Sequence, residues 1–170
     1  MSSPGAGKTT LLERTIRDLG GHVPIGVVEG DQATDHDAAR IRAAGCRAVQ
    51  INTGAGCHLD AEMLARGLES LEPPFGSVVM IENVGNLVCP AVYDLGQDVN
   101  VVALSVTEGE DKPLKYPLIF RKADLVLLTK VDLLPALPQV QVDRIEQNLA
   151  CIMPKPALIR MSATTGEGID

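Results

Sequence analysis

The sequence predicts an α/β domain with helices on both faces of a mostly parallel, doubly wound sheet. Three observations predict it. Short Val/Ile/Leu-rich runs recur along the chain, segments with helical spacing separate them, and Gly20-Gly21 and Gly45 stand where the first two helices would end. The apolar runs fall at residues 23–28, 47–51, 77–82, 99–106, 123–128 and 157–161. Their near-continuous apolarity suits strands buried on both faces. The first helix, over residues 7–19, gathers Leu11, Leu12, Thr15, Ile16 and Leu19 on one side. Further helices are expected over residues 34–44, 60–71, 112–121 and 139–152. Strand and helix therefore alternate, as parallel α/β folds require. Pro73-Pro74 and the Pro-rich residues 135–138 read as loops, not linkers.

The chain has 170 residues and 18.0 kDa, about one domain's worth, so residues 1–170 are expected to form a single domain. With 45% hydrophobic and 22% charged residues it has globular composition, and no stretch reaches the roughly 18 apolar residues of a membrane span. Fifteen Lys plus Arg against 22 Asp plus Glu give a net charge of −7, which argues against nucleic acid as a partner. Only Phe75, Tyr93, Tyr116 and Phe120 are aromatic, too few for a base-stacking platform. Cys46, Cys57, Cys89 and Cys151 are too dispersed for a disulfide-stapled secreted module. Reduced thiols are expected. The opening Met1-Ser2-Ser3-Pro4-Gly5 lacks the features of an export signal, which points to the cytoplasm.

Open α/β sheets bind ligands beyond the carboxyl ends of their strands, so functional polar clusters should follow strands. Gly5-Ala6-Gly7-Lys8-Thr9-Thr10 opens the first helix and matches the end of a phosphate-binding loop. Glycines let backbone N–H groups curl round phosphates, lysine reaches the β and γ oxygens, and the Thr9 hydroxyl would ligate Mg²⁺. The bland alternative is a glycine-rich helix cap. Ser2 holds the position of the pattern's first glycine, and no strand is expected before the loop, which points to truncation at the N-terminus or a misplaced start codon.

Thr129-Lys130-Val131-Asp132 resembles the guanine-specificity pattern Asn-Lys-x-Asp, with threonine in place of asparagine. A carboxylate at Asp132 can accept from guanine N1–H and its exocyclic amine, while the Lys130 stem lies along the base. Ser162-Ala163 fits the companion motif whose backbone N–H groups meet guanine O6. Glu82-Asn83-Val84-Gly85 ends the third run. Glu82 there can hold a Mg²⁺-bound or attacking water, and Gly85 lets an N–H approach the γ-phosphate. A polar strand end is the alternative. Asp31 is a further candidate beside Mg²⁺; Asp35 and Asp37 either share that role or are helix N-terminal acids.

Cys57-His58 follows the second run and Cys89 follows Glu82, both on the edge that carries the phosphate loop. Two thiolates and an imidazole suit Zn²⁺ or Ni²⁺ with one position open. The alternative is two ordinary thiols and a surface histidine. Cys46 and Cys151 read as strand-edge and helix-face packing residues, and His22 and His36 lack ligand spacing.

These residues resemble the hydrogenase maturation nickel-incorporation GTPases, the HypB family, in the SIMIBI class of P-loop GTPases. The likeness covers nearly all of the chain. It rests on Ser2-Ser3-Pro4-Gly5-Ala6-Gly7-Lys8-Thr9-Thr10, Glu29-Gly30-Asp31-Gln32-Ala33-Thr34-Asp35, Gly56-Cys57-His58-Leu59-Asp60-Ala61, Glu82-Asn83-Val84-Gly85-Asn86-Leu87-Val88-Cys89-Pro90 and Lys112-Pro113-Leu114-Lys115-Tyr116-Pro117. Ser2 in place of glycine is itself what the family looks like. The resemblance implies hydrolysis of GTP to GDP and phosphate; Lys8, Asp31 and Glu82 are the candidate catalytic residues, and turnover is expected to be slow because the sequence offers no obvious glutamine or arginine finger in cis. Thr9, Asp31 and Glu82 are expected on Mg²⁺, and the resemblance implies Cys57, His58 and Cys89 on Ni²⁺ or Zn²⁺ near a nucleotide-dependent homodimer interface. It further implies partners among the hydrogenase maturation proteins and the large subunit of [NiFe]-hydrogenase. The chain stops just after Gly166-Glu167-Gly168, before any closing helix, which implies truncation at the C-terminus as well. Three rivals stand beside this reading: a urease-maturation GTPase, which would place a proline between the cysteine and histidine; a metal-binding or dimerising remnant with a dead nucleotide site; and a P-loop kinase of small molecules.

Overall fold

The computed structural model describes residues 1–31, 36–54 and 56–169. The chain divides into two compact units, Lys8–Gly96, and Met1–Gly7 together with Gln97–Asp170.

In the Lys8–Gly96 unit, helix α1 (Lys8–Leu19) leads to β1 (Ile25–Asp31), α2 (His36–Ala43), β2 (Arg47–Asn52), α3 (Ala61–Leu71) and β3 (Val78–Glu82). A 3-10 turn, Cys89–Ala91, follows. The sheet order is β2-β1-β3 with both pairings parallel, so β1 is central. Successive side chains of a strand point to opposite faces, and β1 uses this directly. Val27 packs with Ile16 of α1, Ile41 of α2 and Cys46, whereas Val28 packs with Leu64 and Leu71 of α3. Helices therefore cover both faces of this sheet, as the periodicity predicts. Burying each such aliphatic side chain is worth about 1.5–3 kcal/mol. Gly67 brings α3 close to the sheet: a Cβ there would stand 2.8 Å from Ile51 Cδ1.

In the second unit, β4 (Val101–Ser105), a 3-10 turn (Val106–Glu108), α4 (Lys112–Lys115) and α5 (Pro117–Lys122) precede β5 (Leu125–Thr129). A 3-10 helix (Val131–Ala136), α6 (Val142–Ala150) and β6 (Leu158–Arg160) complete it. Its sheet order is β4-β5-β6, again parallel throughout. The segment ahead of the phosphate loop, expected to carry no strand, pairs with β4 over a single parallel bridge, Ser2 with Ala103. The Met1 amino group donates to Val101 O at 2.8 Å, and Ala103 N donates to Met1 O at 2.9 Å.

Several expectations are corrected. The helix expected over residues 112–121 is two short helices broken at Tyr116, whose φ of −124° and ψ of 56° leave the helical region. Pro117 is the cause, because the residue before proline is pushed out of the α conformation. Val106 leaves the strand for a 3-10 turn, and the last helix shortens to Val142–Ala150. Part of the 135–138 loop is helical, with Pro135 inside the 3-10 helix. Cys46 is buried as expected, but Cys151 is exposed at the end of α6 and packs nothing into a core.

Candidate functional site

The loop that opens α1 is shaped by two glycines that no side-chain-bearing residue replaces without strain, Gly5 at φ 77° and Gly7 at φ 94°. Lys8 and Thr9 then begin α1, so the loop delivers its backbone N–H groups to a helix N-terminus. In the second unit, the Thr129 hydroxyl donates to Ala6 O at 2.7 Å and Lys130 Nζ donates to Gly5 O at 2.7 Å. The end of β5 thus holds the loop from one side by two bonds.

In the Lys8–Gly96 unit, the three strand ends carry the polar residues that the topology rule anticipates. Asp31 closes β1, Glu82 closes β3, and Cys57-His58 lies in the loop after β2. Thr9 Oγ1 lies 2.9 Å from Glu82 Oε1 and 3.3 Å from Asp37 Oδ2. Asp37 sits in the first turn of α2 and also bonds Arg40, so it is both a helix N-terminal acid and a neighbour of Thr9. Glu82 is 7% exposed, and its Oε2 is buried without a hydrogen-bond partner among the described residues. Burial pushes the Glu82 carboxyl above its ordinary range, against the opposing pull of the Lys8 charge and the Thr9 hydrogen bond. The Thr9 hydroxyl and the carboxylates of Asp37 and Glu82, the latter with Oε2 unengaged, form a hard-oxygen set of the kind that Mg²⁺ takes. Asp35 lies outside the described residues.

The second cluster is soft. One ligand atom each from Cys57, His58 and Cys89 lie within 4.8 Å of one another. Cys57 Sγ is 3.8 Å from His58 Nδ1. Local bonds explain how two loops converge. Leu59, fully buried, presses its side chain against the backbone of Gly30, where a Cβ would stand 2.6 Å from Leu59 Cγ. Its N–H donates to Asn83 Oδ1 at 3.0 Å, and Asp60 caps α3 by accepting from Met63 N at 2.7 Å. On the other loop, Asn86 Oδ1 accepts from Val88 N at 2.7 Å and Cys89 N at 3.3 Å, an Asx turn that presents the thiol. A hydrogen bond with the Cys57 sulfur, then desolvation, pushes the Cys89 thiol up. A cation reverses that preference, since it requires deprotonated thiols.

Beyond the end of β5, Asp132 lies in the 3-10 helix after Lys130, whose φ of 62° is left-handed. Val131 N donates to Met161 O at 3.3 Å, tying this turn to the end of β6. Ser162 is fully buried; its N–H is committed to Glu167 O at 2.9 Å, and its hydroxyl accepts from Thr164 N and Thr165 N. Of the expected pair, Ala163 is left to offer its amide.

Comparison with known proteins decides the family. The profile described as CobW/HypB/UreG, nucleotide-binding domain, matches residues 1–159. The chain belongs to this family. Among CobW/HypB/UreG relatives, the hydrogenase maturation factor HypB of Azotobacter chroococcum mcd 1 is 59% identical over 169 residues, 99% of this chain and 55% of that protein. The chain thus spans about half the length of the curated relatives it matches. The crystal structure of HypB from Archaeoglobus fulgidus aligns with a TM-score of 0.89 at 42% identity, covering 99% of this chain and 81% of that one. HypB from Helicobacter pylori in complex with nickel aligns with a TM-score of 0.88 at 43% identity, covering 96% and 77%. The P-loop α/β fold expected from the sequence is thus shared with solved HypB structures.

Within this CobW/HypB/UreG domain, Cys57-His58 and Cys89, separated in the sequence, lie together, and Glu82 lies against Thr9. Sequence reasoning missed Asn83, Asn86 and Tyr93. The Asn86-x-Val88 spacing is a readable Asx-turn signal; the contacts of Asn83 with Leu59 and of Tyr93 with His58 join residues apart in the chain and leave none.

Proposed function

We propose that this chain is the GTPase domain of a nickel metallochaperone that assists nickel insertion into [NiFe]-hydrogenase. The observation that carries this reading is the convergence of Cys57, His58 and Cys89 within 4.8 Å on a domain of a nucleotide-binding family. The relatives' names, which carry hydrogenase maturation, support it over the urease-type alternative, and the nickel-bound H. pylori relative supports nickel as the metal. No helix among the described residues is long and apolar enough to cross a membrane; action in the cytoplasm is part of the proposal.

In this reading the backbone N–H groups of Gly5, Ala6, Gly7, Lys8, Thr9 and Thr10 cradle the phosphates, and Lys8 neutralises charge on the phosphoryl group as it transfers. Mg²⁺, held by Thr9, Glu82 and Asp31, would neutralise the β and γ oxygens when bound. Glu82 and Asp31 orient the attacking water, and the Gly85 N–H meets the γ-phosphate. Asp132 accepts from guanine N1–H and the exocyclic amine, Lys130 lies along the base, and Ser162-Ala163 meets O6 through the Ala163 amide. The chain offers no evident glutamine or arginine finger in cis, so intrinsic turnover is slow. Ordering of the loops around the γ-phosphate favours a homodimer with GTP and a monomer with GDP. Ni²⁺ is the cargo, with Zn²⁺ competing for the thiolates, and the recipients are hydrogenase maturation proteins and the hydrogenase large subunit.

The test measures GTP turnover and Ni²⁺ binding on the same preparations. Lys8→Ala should abolish turnover and spare metal binding, whereas Cys57→Ser should lose metal and retain turnover. Parental turnover in Lys8→Ala, or parental metal affinity in Cys57→Ser, overturns the respective half of the proposal.

A further inference from the structure

We infer that Tyr93 is a positioning residue for His58, fixing the plane of its imidazole ring in the soft-metal cluster. The inference rests on the metal reading proposed above. The rings of His58 and Tyr93 stack with centroids 3.7 Å apart and planes 14° apart. The lone pair of an imidazole nitrogen lies in the ring plane, so whatever fixes that plane fixes the line along which a cation is bound. The backbone at His58 is already anchored by Leu59, but two side-chain torsions remain to be restricted. Tyr93 restricts them from the same segment that supplies Cys89, four residues earlier. Cys89 and the support for His58 therefore arrive together. Tyr93 is 47% exposed, so burial of its own ring does not account for its place. Stacking needs the aromatic face and not the hydroxyl, which predicts that phenylalanine serves equally and alanine does not.

The chain contains two tyrosines and no tryptophan, so Tyr116→Phe leaves Tyr93 as the sole tyrosine emitter. Titration of Ni²⁺ alone into this variant should quench Tyr93 emission with the midpoint found by calorimetry. Tyr93→Phe should bind within about twofold of the parent, and Tyr93→Ala and Tyr93→Leu roughly tenfold more weakly with unchanged stoichiometry. In the metal-free protein, NMR should show the His58 ring protons shifted upfield in the parent and in Tyr93→Phe, and returned in Tyr93→Ala. Three results overturn the role of Tyr93 while leaving the metal site standing: parental affinity in both non-aromatic variants, a Tyr93→Phe as weak as Tyr93→Ala, or no ring-current shift. Failure of the parent to bind Ni²⁺, or binding indifferent to Cys57→Ser, overturns the metal reading instead and this inference with it.

Discussion

The Thr129 hydroxyl donates to the Ala6 carbonyl oxygen at 2.7 Å, joining the end of β5 to the phosphate loop across 123 residues of sequence. Threonine stands here where the guanine-specificity pattern has asparagine, and both side chains carry a donor. The hydroxyl supplies the one donor that the bond to Ala6 requires, so threonine suffices for it.

Removing that donor while keeping the shape gives the first prediction. Thr129→Val leaves the Ala6 carbonyl buried without its partner, which costs about 1–3 kcal/mol. Melting temperature should fall, by about 2–4 °C per kcal/mol, and affinity for a fluorescent GDP analogue should drop roughly tenfold. Thr129→Asn should keep both near the parent. Unchanged affinity in Thr129→Val would show that the bond does not hold the loop for nucleotide.

How far the sequence foretold the site depends on how local each signal is. Gly5, Gly7, Lys8 and Thr9 are contiguous, so their chemistry is readable from the string alone. Cys57-His58 and Cys89 lie far apart, yet the rule that ligands gather beyond strand ends was enough to place them on one edge. The contact between Asn83 and Leu59 spans 24 residues and uses one carbonyl oxygen; no periodicity announces it. The stack of Tyr93 on His58 is hidden for the same reason. At Tyr116 the signal was present, because Pro117 forbids a helical residue before it, but the apolar spacing of residues 112–121 outweighed it in the reading.

Glu82 carries a prediction about stability against pH. Its folded pKa is raised above that of the unfolded chain, chiefly by burial, so the folded state binds the proton more readily. Stability from this group is fully present below the unfolded pKa and is lost as pH rises through the folded one. At neutral pH the metal-free protein bears the cost of a buried, half-satisfied carboxylate. Glu82→Gln should therefore raise the melting temperature at pH 7–8, leave it near the parent in acid, and remove Mg²⁺-dependent turnover. A melting temperature that falls equally at all pH values would contradict the assignment.

Asp132 is expected to set the choice of base. Its carboxylate can accept from two guanine donors, whereas adenine presents an acceptor at N1. Sites built on such pairing discriminate strongly, so GTP should outcompete ATP by at least about a hundredfold, falling below about tenfold in Asp132→Ala. Competition of each nucleotide against labelled GDP measures this directly. Equal competition by ATP in the parent would remove the guanine assignment.

Asn83 is expected to couple nucleotide state to metal affinity. It is 4% exposed, follows Glu82 directly, and its Oδ1 accepts from Leu59 N at 3.0 Å and from Val84 N at 2.9 Å. Leu59 in turn follows His58. A rearrangement of Glu82-Asn83-Val84-Gly85 round a γ-phosphate would pull on the backbone that carries His58, while Cys89 lies further along the same segment. By linkage, any factor by which a GTP analogue changes Ni²⁺ affinity must equal the factor by which Ni²⁺ changes affinity for the analogue. Calorimetric titration of Ni²⁺ into GDP and GTP-analogue forms should show this factor in the parent, about 5-fold or more for a coupling of 1 kcal/mol. Asn83→Ala should shrink it toward one by releasing Leu59, even where the intrinsic Ni²⁺ affinity of the GDP form is little changed. Asn83→Asp, which keeps the acceptor oxygen for both N–H groups, should retain most of it. Equal factors in the parent and Asn83→Ala would mean that the nucleotide signal reaches the metal through Cys89 alone.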